Sequence, residues 1–174
     1  KSGANVDGNS SLSNGELIPY LEKQSYTDAE KSALFAQMTK SDGKGYNSVK
    51  SKYGDDGAYE WMVWQANADV NRNGSASYSE LIPVLEQVPK AKQADYLASA
   101  VPPREGSKAE VIQQNYGNQG LLDLYTASVY ADTNRNGGVT AKEAKAYLDK
   151  QAFTKAYKAA LYEAMVESKK NPYR

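Results

Sequence analysis

The chain has 174 residues, and its 21 basic and 21 acidic side chains give a formal net charge of zero. Because neither sign forms a long run, the composition argues against a surface for nucleic acid or anionic membranes, which requires a basic patch. The absence of Cys and His excludes disulfides, most zinc and iron sites, and Ser-His-Asp or Cys-His catalysis. No apolar stretch approaches the roughly 18 residues of a membrane span, so we expect no membrane insertion.

An internal repeat organises the chain. Three segments align without gaps, beginning with Asn5, Asp69 and Asp132: NVDGNSSLSNGEL, DVNRNGSASYSEL and DTNRNGGVTAKEA. A Tyr-Gly pair lies 16 residues before the second and third segments, at Tyr53 and Tyr116. A long-period repeat is typical of arrayed structural units. We therefore predict three repeats, at residues 1–41 (incomplete), 42–100 and 101–174.

The predicted elements are helices and loops. The first loop, residues 5–16, is followed by two short helices. The Gly-, Lys- and Asp-rich residues 41–56 that come next are typical of a linker. Apolar positions at helical spacing predict a helix over 58–68 before the second loop. The Pro-Pro stretch at 101–107 predicts another linker, and residues 121–129 repeat the helical pattern before the third loop. No segment alternates as a strand does, so the predicted fold is all-α, with repeated helix–loop–helix units and extra helices.

Each aligned segment places oxygen-bearing groups at positions 1, 3, 5, 7, 9 and 12. Calcium binds six to eight oxygens, and a twelve-residue loop can supply them from these positions, using the backbone carbonyl at position 7 and often a water at position 9. Position 6 makes a sharp turn that favours glycine, as in Gly74 and Gly137. The predicted ligands are Asp69, Asn71, Asn73, Ser75, Ser77 and Glu80 in the second loop; Asp132, Asn134, Asn136, Gly138, Thr140 and Glu143 in the third; and Asn5, Asp7, Asn9, Ser11, Ser13 and Glu16 in the first.

The pattern D-x-N-x-N-G-x5-E resembles the loop of the EF-hand family, and the likeness covers loops and flanking helices. The resemblance implies calcium as the bound ion, and pairing of loops through the apolar residue at position 8: Leu12, Ala76 and Val139. The first loop departs from the pattern, with Asn5 in place of Asp and Ser10 in place of the turning glycine, although Gly8 can relieve part of the backbone strain.

A second interpretation of the same residues needs no metal. Ser13, Ser77 and Thr140 each precede a glutamate by three residues, which is the capping box that begins a helix. The two interpretations are compatible, but a cap alone does not require oxygen-bearing side chains at positions 1, 3 and 5. With two carboxylates per loop, and Arg72 and Arg135 inside the loops, we expect dissociation constants on the order of 10⁻⁵–10⁻³ M. That range fits constitutive stabilisation better than signalling.

The sequence predicts no enzyme site, and two functions remain open. The first is a calcium-binding helical module, structural in role and part of a larger bacterial protein, since the chain opens on Lys1 with no initiating Met or signal-like segment. The second is an interaction or assembly module of a phage or cell surface. Dockerins are similar in their D-x-N-x-(D/N)-G loops, but their repeats lie close together and usually end in Asp. We expect a protein partner or the rest of a longer chain, and favour an extracellular location.

Trp61 and Trp64, with Tyr59, could form a sugar- or peptide-binding face. Aromatic residues at helical spacing more often belong to the core, and we favour the core interpretation.

Overall fold

The computed structural model of the chain describes residues 3–5, 7–8, 12–39, 43–167 and 170–174. Its regular secondary structure in these residues is helical and contains no strand, so the predicted all-α class is confirmed. The chain forms two compact units, residues 1–92 (unit 1) and 93–174 (unit 2). The boundary falls inside the second predicted repeat, and the division into three repeats stays a prediction. Among the described residues, no helix combines the length and the apolar character needed to cross a bilayer.

Unit 1 is built around its longest helix. The elements in chain order are α1 (Asn14–Glu22), α2 (Asp28–Met38), α3 (Lys44–Ala68), α4 (Tyr78–Leu81) and two 3₁₀ turns (Ile82–Gln87 and Lys90–Lys92). Helix α3 packs against α1, α2, α4 and the first 3₁₀ turn. The α-helical part of the exiting segment ends at Leu81, two residues before Pro83, and the chain continues as the first 3₁₀ turn. Helix α1, by contrast, continues through Pro19 at the aligned position.

Aromatic rings fill the core of unit 1. Trp61 and Trp64 on α3 are 6% and 1% exposed, and Tyr59 is 5% exposed. The ring of Phe35 on α2 lies 5.4 Å from that of Tyr59, centroid to centroid. The low exposure of Trp61 and Trp64 confirms that they belong to the core. The other large side chains that are almost fully buried in this unit are Leu17, Leu21, Val49, Leu81 and Val88.

Unit 2 has a second long helix at its centre. Its helices are α5 (Gln93–Ala100), α6 (Lys108–Ala131), α7 (Ala141–Leu148) and α8 (Lys155–Met165). Helix α6 packs against α5, α7 and α8. The Pro-Pro stretch between α5 and α6 is non-helical, as predicted. The largest fully buried side chains are Tyr96, Leu97, Leu121, Leu148 and Leu161.

Two tyrosine hydroxyls donate hydrogen bonds to carboxylates that lie far away in the sequence. Tyr59 on α3 donates to Glu22 Oε1 at the end of α1 (2.6 Å), and Tyr157 on α8 donates to Asp123 Oδ2 on α6 (2.8 Å). Burial and the neighbouring carboxylate both raise the pKa of each phenol. Because each phenol stays protonated at neutral pH, it remains a donor to its carboxylate. Part of the high tyrosine content therefore serves contacts inside the chain.

Both long helices are interrupted by a glycine with positive φ. Gly54 in α3 has φ 74° and ψ −170°, and Gly117 in α6 has φ 70° and ψ −168°. This region of backbone conformation is essentially restricted to glycine. The Tyr-Gly repeat therefore marks a bend within each helix. It also corrects the predicted linker at 41–56, because residues 44–53 already form the first part of α3.

Substituting Gly54 by Ala should reduce stability by about 1–3 kcal/mol, because a Cβ is strained at that φ and ψ whatever the surrounding space. No neighbour lies within 4 Å of the added Cβ, so the loss would come from the backbone. Urea unfolding measures it. Gly15→Ala is the control, since Gly15 lies in α1 without positive φ and the substitution should not destabilise the helix. Equal stability of Gly54→Ala and the unmodified chain would contradict the assignment.

Candidate metal-binding loops

The second and third predicted loops each connect a long helix to a shorter one and have the same backbone. Residues 69–77 join α3 to α4, and residues 132–140 join α6 to α7. At position 4, Arg72 and Arg135 have φ of 57° and 56°, and at position 6, Gly74 and Gly137 have φ of 87° and 84°. The sequence predicted the turn at position 6. It did not predict the left-handed arginine at position 4, a conformation uncommon for any residue other than glycine.

The aspartate at position 1 is held by backbone amides of its own loop. Asp69 Oδ2 accepts from the amide of Gly74 (2.8 Å), and Oδ1 accepts from the amide of Asn73 (3.1 Å). Asp132 accepts from the corresponding two amides of the third loop at 2.8 and 3.1 Å. The sharp turn at position 6 brings these N–H groups towards the aspartate, so the loop backbone orients the first predicted ligand.

The asparagines at positions 3 and 5 stabilise the loop in the same way. Asn71 Oδ1 accepts from the Asn73 amide (3.0 Å), and Asn73 Oδ1 accepts from the Ser75 amide (2.9 Å). The third loop repeats both contacts at the same distances. Short polar side chains that bond to the backbone two residues onward favour turns. The residues predicted as ligands therefore also fold the loop.

The glutamate at position 12 closes the second loop. Glu80 Oε2 accepts from the amide and the hydroxyl of Ser77, both at 3.0 Å, which is the capping box of α4. Glu80 Oε1 accepts from Asn71 Nδ2 across the loop at 3.0 Å. The Ser77 amide, then its hydroxyl, lower the pKa of Glu80, whereas the charge of Asp69 opposes ionisation. The two carboxylates of this loop therefore repel each other.

Glu143 closes the third loop through more contacts. Its Oε2 accepts from the amide and the hydroxyl of Thr140 at 3.0 and 2.7 Å. Its Oε1 accepts from Asn134 Nδ2 (3.3 Å) and from the amide (3.2 Å) and hydroxyl (2.9 Å) of Thr133. The Thr140 amide first, then the hydroxyls of Thr140 and Thr133, lower the pKa of Glu143 to about 2. The carboxylate is thus ionised at neutral pH. Sequence reasoning missed the contribution of Thr133.

The groups in these two loops fit a hard cation. The predicted ligands are carboxylate, amide, hydroxyl and backbone carbonyl oxygens, which suit calcium. Among the residues that the structure describes, no three or more acidic side chains gather as a group that could hold a metal ion. A cation held by Asp69 and Glu80 would offset the repulsion between their charges.

The first loop is described in part, because Asn9, Ser10 and Ser11 lie outside the described residues. Glu16 Oε2 accepts from the amide and hydroxyl of Ser13 at 3.0 and 2.8 Å, and Oε1 accepts from the amide of Asp7 at 3.3 Å. Gly8, at position 4, has φ 73°, where the other loops place arginine. Asn5 Oδ1 accepts from the Gly8 amide at 2.8 Å, a contact that the other loops do not share. Metal binding by this loop stays a prediction.

No β-bridge forms at position 8 in the described residues, and the pairing of loops stays a prediction. Leu12, Ala76 and Val139 form neither a strand nor a β-bridge. Each is half-buried and directly precedes the residue that caps the following helix. The residue at position 8 is therefore the last one before the N-cap of the following helix.

Comparison with protein-family models, curated proteins and solved structures gave no match to this chain.

The lowered pKa of Glu143 gives a pH dependence in the metal-free protein. Because the folded pKa, about 2, lies below the ordinary value of 4.5, the stabilisation is complete above pH 4.5 and disappears as the pH falls through about 2. Glu143→Gln keeps a residue able to cap the helix but removes this dependence. Urea midpoints should therefore separate the variant from the unmodified chain at pH 6, and converge towards pH 2. The control Glu105→Gln, at an exposed residue before α6, should differ little throughout. A pH-independent difference for Glu143→Gln would contradict the assignment.

Proposed function

We propose that this chain is a calcium-binding helical module, and that the ion stabilises the second and third loops and thereby fixes the helices on either side. The observation that carries the proposal is the common hydrogen-bonding scheme of these loops. In both, backbone amides orient the aspartate at position 1, and the asparagine at position 3 reaches the glutamate at position 12 across the loop, at 3.0 Å in the second and 3.3 Å in the third.

The choice of calcium is supported by the chemistry of the ligands. Magnesium requires near-ideal octahedral geometry and retains several waters, whereas calcium accepts six to eight oxygens in a flexible arrangement. A loop with asparagine at positions 3 and 5 and a hydroxyl at position 9 supplies neutral oxygens, which suit calcium when the carboxylate count is low. We propose dissociation constants on the order of 10⁻⁵–10⁻³ M, in the range of extracellular calcium modules.

A structural role follows from the position of the loops. The second loop begins where α3 ends and finishes at the cap of α4, and the third has the same relation to α6 and α7. An ion that binds only the folded loop stabilises the folded state by about 2.7 kcal/mol at a hundredfold excess over the dissociation constant. The proposed role is therefore constitutive ordering, with no catalytic activity.

Removing one glutamate from each loop tests the proposal. Glu80→Gln and Glu143→Gln each remove a charged ligand yet keep the capping box, since glutamine also caps. Each variant should bind calcium at its own loop about tenfold more weakly or worse, a loss of at least about 1.4 kcal/mol. The double variant should lose the calcium-dependent rise in melting temperature, which is about 10–20 °C for the unmodified chain with both loops at a hundredfold excess of calcium.

The matched controls are Glu86→Gln and Glu105→Gln, which make the same change in charge at exposed residues outside the loops. Both should keep the full calcium-dependent rise. If chelator leaves the melting temperature of the unmodified chain unchanged, or if the double variant responds to calcium as the controls do, the proposal is wrong.

The second candidate function is partner binding, in the manner of a dockerin-like assembly module. It is supported by large apolar side chains that unit 2 exposes, namely Val111 at 50%, Tyr116 at 42% and Tyr130 at 54%, since tyrosine is enriched in protein interfaces. Surface plasmon resonance against cohesin-type domains separates the two functions. Saturable binding abolished by Tyr130→Ser would favour the second, and calcium-dependent stability without such binding would favour the first.

A further inference from the structure

The two loops differ at position 2. The second loop has Val70, whose side chain is 80% exposed and whose amide donates to the carbonyl of Ala68 (2.8 Å). The third loop has Thr133, whose amide and hydroxyl both donate to Glu143 Oε1. The backbone at position 1 is the same in both, with φ −70° and ψ 77° at Asp69 and φ −70° and ψ 78° at Asp132. The two loops therefore have the same backbone conformation at position 1. Their contacts to the glutamate differ together with the side chain at position 2.

We propose that Thr133 is a latch that holds the Glu143 carboxylate in the absence of a cation, so that the third loop is the more ordered of the two without calcium and the weaker of the two calcium sites. Only the order of the two calcium affinities rests on the proposed function; the order of the loops without calcium does not. In this role Thr133 is a positioning residue, because it acts through Glu143.

The two loops differ at one oxygen of the glutamate. The capping contacts use Oε2 of Glu143 and Oε2 of Glu80 alike, so any competition at Oε2 is common to both loops. Oε1 accepts from Thr133 and Asn134, and bidentate coordination by the position-12 glutamate requires both oxygens. A hydrogen bond from the Thr133 hydroxyl to this charged group must therefore be weakened before Oε1 can bind the ion.

The second loop lacks this contact. Across the loop, Glu80 is held by Asn71 through its side-chain nitrogen at 3.0 Å. Val70 has no hydroxyl and cannot add a side-chain donor. Losing one hydrogen bond to a charged group changes an equilibrium by about tenfold. We infer that the affinities of the two loops differ by about this factor, with the second loop tighter.

The test uses Thr133→Val, which keeps the shape of the side chain and removes the hydroxyl, and Thr133→Ser, which keeps the hydroxyl. Calcium titrations by calorimetry are made on the full chain carrying Asp69→Asn and Glu80→Gln, which removes both carboxylates of the second loop so that this loop contributes little heat. Thr133→Val should bind calcium about tenfold more tightly at the third loop, whereas Thr133→Ser should keep the original affinity. Val70→Ala is the control, made in a chain with Asp69 and Glu80 intact. It should change calcium binding little, because the Val70 side chain is exposed.

Thr133→Val and Thr133→Ser are also made in the otherwise unmodified chain and melted in excess chelator. Thr133→Val should melt about 2–4 °C lower than the unmodified chain, because the latch is lost, and Thr133→Ser should not. Lower metal-free stability together with higher calcium affinity is the signature of a latch. A merely structural threonine would lower both.

The outcomes separate the latch from the proposed function. If Thr133→Val weakens calcium binding, or changes neither quantity, the latch is overturned even though the chain binds calcium. If the chain with Asp69→Asn and Glu80→Gln binds no calcium, the proposed function fails at the third loop, and with it the claim that this loop is the weaker of two calcium sites. The chelator melts then decide whether Thr133 holds Glu143 in the metal-free protein.

Discussion

The glutamate that ends each loop is the constraint on which the rest of the structure depends. One carboxylate oxygen of Glu80 or Glu143 caps the helix that follows, and the other accepts a hydrogen bond across the loop. A single side chain therefore sets where the exiting helix starts and how far the loop closes. Because α4 and α7 pack on the long helices α3 and α6, the position of this carboxylate is coupled to the core of each unit.

This double role changes how a metal would act. Because hydrogen bonds already close the loop, an ion adds less order to it on binding. The ion must also compete with N–H and O–H donors for the same oxygens. Both effects favour modest affinity, in agreement with the low carboxylate count. Calcium in such a loop would increase the stability of an arrangement that exists without it. A large calcium-driven opening of helices would require a different metal-free state from the one described for the second and third loops.

Local sequence chemistry predicted the helix starts well and the helix paths poorly. The capping residues and turning glycines mark the loop ends, since those features act over a few residues. The Gly- and Asp-rich segment before Gly57 has the composition of a linker, yet it continues α3, because packing against α2 outweighs a low helix propensity. The contacts of Tyr59 and Tyr157 join residues 37 and 34 positions apart, and the hydroxyl of Thr133 depends on the path of a loop backbone. No local pattern encodes such pairs.

The central claim, that the second and third loops bind calcium, is tested most directly by a calorimetric titration of the unmodified, chelator-treated chain with calcium. Calcium binding at these loops predicts saturable heat with at least two ions per chain and dissociation constants on the order of 10⁻⁵–10⁻³ M. Heat no greater than that of dilution, at protein and calcium concentrations that would saturate such sites, would contradict it.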